Sequence, residues 1–241
     1  MSIKKILIFV FILPALLSSP FLQAASIESR IGDKNILRYK VSFNGIPSGI
    51  INWQYLGQEV LGGVDVDVLR VTSNAKIMNL LNLESDERVF LESKTSLPLK
   101  VERDLKVFGK KEVIKEVYNQ KEGYVELINK TTEVKKSTIY QDKPIQNILA
   151  LLYFFPDDIK LISGKWMNFN LPTCKIRIKF IKERILNIGK EKINTYFLIG
   201  RGAKRFSLWL DKKTKLPLRL EFISFAGKIT IIRDETPVDS Q

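Results

Sequence analysis

Polar and apolar residues alternate along most of this chain. Leu37, Tyr39, Val41 and Phe43 stand between Arg38, Lys40 and Ser42, a period of two that predicts a half-buried strand. Asn44-Gly45 and Pro47-Ser48-Gly49 carry turn chemistry, and a second strand follows through Ile51, Trp53 and Tyr55. Gly62-Gly63 leads into a third, with Val64, Val66 and Val68 on one face. The same period predicts strands over 88–92, 97–108, 112–118, 124–128 and 133–140, then over 166–171, 175–181, 193–199, 206–210, 216–223 and 228–232. Short turns such as Phe108-Gly109-Lys110 and Lys121-Glu122-Gly123 separate them. Strands spaced in this way predict antiparallel meanders.

Two segments break the alternation. Residues 75–83 place Ile77, Leu80 and Leu81 at helical spacing, which predicts a short helix or crossing loop. Residues 145–155 are apolar nearly all round, with Ile145, Ile148, Leu149, Leu151, Leu152, Phe154 and Phe155. Asp142 and Lys143-Pro144 precede them like a cap and a first-turn proline, and Pro156 closes the run. A helix of this kind must be buried, as part of a core or as a plug in a cavity.

An internal echo organises the strands. Leu97-Pro98-Leu99-Lys100-Val101-Glu102 matches Leu216-Pro217-Leu218-Arg219-Leu220-Glu221, and each copy follows a strand and precedes a hairpin with glycine at its tip. Proline at the first residue of a strand removes no ladder hydrogen bond. The predicted fold is therefore mainly β: two related meanders, over 35–140 and 160–234, forming a closed or half-open barrel with one buried hydrophobic helix.

The first 24 residues read as an export signal: Lys4 and Lys5, an apolar run over 6–17, then Ser18-Ser19-Pro20 and Leu22-Gln23-Ala24. Cleavage is expected after Ala24, with Ala25 the alternative site. The run is too short and too interrupted by Pro14 to span a bilayer. The remainder, 25–241, is expected to be a single soluble periplasmic domain that does not span the membrane. Hydrophobic residues make up 45% of the chain, enough to build a core. The net charge is +13, of which Lys4 and Lys5 account for two. A basic exported protein favours anionic envelope partners such as phospholipid headgroups or cell-wall polymers, although lysine is also the default residue of a solvated strand. Nucleic acid is not an expected partner in that compartment.

The chain has no histidine, which removes Ser-His-Asp and Cys-His catalysis and histidine-containing zinc sites. Cys174 is the only cysteine, so no intrachain disulfide can staple the fold. A buried thiol is expected, with an intermolecular bridge the alternative. Asp65 and Asp67 share one face of a strand as a carboxylate pair or calcium ligands would, but a solvated outer face is the simpler reading. Asp157-Asp158 reads as a polar helix exit. No catalytic residue, metal site or cofactor is expected.

Trp53, Trp166, Trp209, Leu152, Phe154 and Phe155 are the candidates for an apolar ligand pocket, and would equally fill a core. Lys175, Arg177 and Lys179 alternate with Ile176, Ile178 and Phe180 as a charged stripe, the candidate anion-contacting surface. Two motifs, the opening 39–49 (Tyr-Lys-Val-Ser-Phe-Asn-Gly-Ile-Pro-Ser-Gly) and the closing Leu208-Trp209-Leu210-Asp211 with 216–221, together with 145–155, resemble a bacterial exported family, domain of unknown function 3108. That resemblance implies a Gram-negative periplasmic β protein with no assigned activity. The hairpin over 210–220 is also similar to the repeating unit of periplasmic lipoprotein carriers of the LolA/LolB type, which implies a half-barrel with a cavity for acyl chains. The functional expectation is a non-catalytic binder or carrier of an apolar or acylated envelope ligand. The alternatives are an envelope interaction module that uses its basic surface, and a histidine-free hydrolase. Oligomeric state is open.

Overall fold

The computed structural model describes residues 36–77, 81–131, 133–155, 161–224 and 227–234. The proposed leader, Pro156, Asp157-Asp158 and most of the 234–241 tail lie outside these residues. Among them the chain forms fourteen strands in one antiparallel sheet. The first run is β1 (Ile36–Phe43), β2 (Ile46–Leu61), β3 (Val64–Ile77), β4 (Leu81–Glu92), β5 (Pro98–Val107), β6 (Lys110–Asn119), β7 (Tyr124–Lys130) and β8 (Val134–Tyr140). One short helix, α1 (Ile148–Tyr153), leads to the second run. That run is β9 (Trp166–Leu171), β10 (Cys174–Ile188), β11 (Glu191–Arg201), β12 (Arg205–Asp211), β13 (Pro217–Ser224) and β14 (Gly227–Arg233). Each run is a meander of sequential neighbours, and the two join where β1 pairs with β14.

Alternation decides which residues face inward. One buried cluster takes Tyr39 from β1, Trp53 from β2, Leu69 and Val71 from β3, Val101 from β5, Val125 from β7, Ile176 and Ile178 from β10, and Leu208 from β12. Side chains from both ends of the sheet meet there, so the sheet curls into a barrel-like shell around α1. The shell is not fully closed, because β8 and β9 stand at opposite ends of the strand order. The segment between them spans that seam. Ile145 forms a parallel bridge with Asn170 of β9, while the Gln120 carboxamide donates to the Ile145 carbonyl at 2.7 Å and accepts from its N–H at 3.0 Å.

The helix is shorter than the predicted 145–155. Ile145 is committed to the seam, and Asn147 is the cap: its side chain accepts from the N–H groups of Leu149 and Ala150. Asp142 instead pairs with Lys175, and the Lys143–Pro144 peptide is cis. Six residues are too few for an isolated helix. Burial holds this one, through Leu151, Leu152, Tyr153, Phe154 and Phe155, each contributing about 1.5–3 kcal/mol on transfer from water.

The predicted helix or loop at 75–83 is a β-hairpin: the ladder of β3 and β4 runs on through Ala75↔Leu83 to Ile77↔Leu81. Asn44 and Gly45 turn with φ of 48° and 84°, as a two-residue hairpin requires, but Pro47–Gly49 already belong to β2. The two Leu-Pro-Leu turns are built alike. Ser96 and Lys215 both take positive φ. Leu97 and Leu216 each donate to the threonine two residues before, at 3.2 and 3.3 Å. A register shift opposes each proline, at Phe90/Leu91 and at Trp209/Leu210.

Candidate functional site

Trp53, Leu152, Phe154 and Phe155 share the inner cluster, as a pocket or a core would require. Trp53 lies 5.2 Å from the Tyr39 ring and 6.0 Å from the Tyr153 ring, and Tyr153 lies 5.2 Å from Phe154. These aromatics fill the space between sheet and helix. At Gly200, a Cβ would stand 1.8 Å from the Phe206 ring, which shows how closely the wall is packed. Two hollows among the described residues open to solvent instead. A groove of about 620 Å³ crosses the outer faces of β1–β3, lined by Arg38, Asn52, Gln54, Arg70 and Asn74, and one of about 400 Å³ lies beside Asn194 and Lys212.

Trp209 and Trp166 do not join this cluster. Trp209 alternates with the inward Leu208 and Leu210, so it sits in a separate cluster with Leu186, Ile188 and Leu218, 4.9 Å from Phe197. Trp166 alternates with Met167 and Phe169, and it meets the candidate anion-contacting residues. Lys179, Arg201 and Arg177 place their charged heads 4.9, 5.2 and 5.3 Å from its ring. Register brings them together: Trp166 is opposite Lys179, and Arg177 is opposite Arg201. Arg201 is in turn opposite Arg205. The predicted stripe therefore divides. Lys175 is neutralised by Asp142, whereas Arg177, Lys179, Arg201 and Arg205 have no carboxylate partner among the described residues.

The sequence reading missed a charged network inside the shell. Arg103 of β5, whose side chain is 13% exposed, donates to both oxygens of Glu87 of β4, at 2.5 and 3.0 Å. Glu116 of β6 lies 3.7 Å from the same guanidinium and accepts from the Tyr118 hydroxyl at 2.5 Å. Burial is the main influence on Arg103, Glu116 and Tyr118. It opposes the charge on Arg103, where the two carboxylates prevail and raise the pKa. It raises Glu116, with Arg103 and Tyr118 acting against it. It raises Tyr118 strongly, helped by Glu116 and opposed by a hydrogen bond from the Asn147 side chain. The network thus ends at the cap of α1. Its parity was the available signal: Glu87 shares a face with Val89, and Arg103 with Val101.

Asp67 also departs from its predicted solvated face. It is buried and accepts from the Tyr55 hydroxyl at 2.8 Å and from Gln58 at 3.3 Å, whereas Asp65 is exposed. Cys174 is half-buried and unbridged. Burial raises its thiol pKa against backbone hydrogen bonds from Ala203 and Lys175. Among the described residues no helix is long and apolar enough to cross a membrane.

Comparison with known proteins yields the fold alone. No family model matches the chain, and no curated protein does. The chain is similar in structure to a β-barrel-like protein of domain of unknown function DUF1849 from Brucella abortus, with a TM-score of 0.57 and 7% sequence identity. The match covers 83% of this chain and 94% of that one.

Proposed function

We propose that the protein is a non-catalytic module of the bacterial envelope, exported by its leader, that docks on an anionic surface through the outer face of β9–β12. One observation carries this reading: Trp166 lies against Arg177, Lys179 and Arg201, and none of the three cations has a carboxylate partner among the described residues. Unneutralised cations on a sheet repel one another and are most favourable when an external anion balances them. An indole beneath them adds an amphipathic body suited to an interface. The leader-like opening, Lys4 and Lys5 before an apolar run, supports an envelope setting. The expectation of a carrier for acyl chains has less support, since α1 and its aromatics occupy the interior that cargo would need.

Sedimentation with vesicles tests the proposal. The protein should pellet with phosphatidylglycerol vesicles at low salt, stay in solution with phosphatidylcholine, and be released as salt rises, since exposed charges are screened within about 8 Å at physiological ionic strength. The variant R177E/K179E should lose this binding without unfolding. Equal binding to neutral and anionic vesicles would overturn the reading.

A further inference from the structure

The three arginines of this face form a row across three strands. Arg177 of β10 is the ladder partner of Arg201 of β11, and Arg201 is the partner of Arg205 of β12. Strands lie about 4.8 Å apart, so the row extends about 10 Å. Like charges placed directly opposite one another destabilise a sheet, and here two successive pairs are of that kind. All three arginines are exposed. Some exposed cations elsewhere on the sheet have a carboxylate partner, as Lys111 has Asp104, Lys106 has Glu84 and Lys212 has Glu183, while others, such as Lys135 and Lys136 of β8, have none among the described residues. Trp166 lies beneath two members of the row, and Asn168 stands opposite Arg177 with its carboxamide on the same face.

Resting on the reading just given, we infer that the Arg177–Arg201–Arg205 row is a clamp for a phosphomonoester group, carried on a lipid or free in solution. A guanidinium is a planar fork that meets phosphate oxygens two at a time. A phosphomonoester presents three terminal oxygens and a charge of about −1.5 to −2 at neutral pH. It can therefore engage neighbouring arginines together and cancel the repulsion between them. A phosphodiester has two such oxygens and one charge, and engages the row less completely. Lysine in the row would keep the charge but lose the paired geometry.

Vesicles of matched surface potential separate this clamp from general attraction to anions. Protein purified after export is titrated against phosphatidylcholine vesicles containing either phosphatidic acid, a phosphomonoester, or phosphatidylglycerol, a phosphodiester. Affinity for phosphatidic acid should be about tenfold higher, the scale of one further charge-assisted pair of hydrogen bonds. In R201K and in R177K the preference should vanish while binding to phosphatidylglycerol persists. Thermal unfolding of both variants confirms that they fold. Soluble glycerol 3-phosphate then assigns the source: competition supports a clamp open to free phosphomonoesters, and a retained preference without competition supports a clamp for the lipid-borne group. Equal affinity for the two vesicles, or a preference that survives both lysine variants, overturns the clamp and leaves the anionic face standing. Binding to neither vesicle overturns both.

Discussion

At Glu116, burial and charge pull in opposite directions, and burial prevails, so the folded protein holds this carboxyl above its ordinary value of 4.5. An acid whose folded pKa is raised contributes its full stability below the unfolded value and loses it as pH rises through the folded one. The window therefore runs upward from 4.5. Urea midpoints measured across pH for wild type and E116Q should differ by a constant below that window. Within it, wild type should lose stability relative to the variant. Parallel curves would mean that Glu116 titrates as it does in water. Arg103 is the other decisive residue. Removing it leaves Glu87 buried without its counter-charge, so R103M should cost about 3–5 kcal/mol by denaturant unfolding, and E87L/R103M/E116L should recover most of that loss. If the triple variant is no more stable than R103M, the buried charge is not what R103M exposes.

Alternation made the strands legible, because most carry one buried and one wetter face, although β8 is exposed at nearly every position. The repeated Leu-Pro-Leu turns were legible for a similar reason, since a threonine, a positive φ and a proline act within a few residues of one another. The start of α1 was not. Asp142-Lys143-Pro144 has the local pattern of a helix start, but the real boundary follows from Gln120, which engages Ile145 from 25 residues away. The hairpin of β3 and β4 was obscured because a short apolar run fits helical and extended periods alike. The cap itself is testable. Asn147 holds two N–H groups of α1 and reaches Tyr118, so N147A should cost about 1–2 kcal/mol. N147D keeps a capping oxygen but sets a carboxylate beside the Glu116–Tyr118 pair, and should not restore stability. Full rescue by N147D, read from thermal midpoints, would separate the cap from the charged network.

The molecule as a whole is a curled sheet whose ends do not pair, with the seam bridged by the chain that links its two meanders. Gln120 satisfies both backbone groups of the buried Ile145. Q120A should therefore destabilise by about 1–3 kcal/mol and raise amide exchange over 145–153 before the distant β1–β14 junction responds. Uniform loss of protection would show that the seam is not a separate unit. The same curvature explains which parts of the candidate site could be read in advance. Arg177 and Lys179 lie two residues apart on one strand and were visible as a stripe, while Arg201 and Arg205 join them only through register. Trp166 and Trp209 were grouped with Trp53 because composition does not record which face an aromatic occupies. The central claim, that binding belongs to the outer face and not the filled interior, is tested most directly by two single-tryptophan proteins. W53F/W209F reports from Trp166, and W166F/W209F reports from Trp53. On titration with phosphatidylglycerol vesicles at low salt, Trp166 emission should shift saturably and revert with salt, while Trp53 stays constant. A shift at Trp53 with none at Trp166 would contradict the account and place the ligand inside the shell.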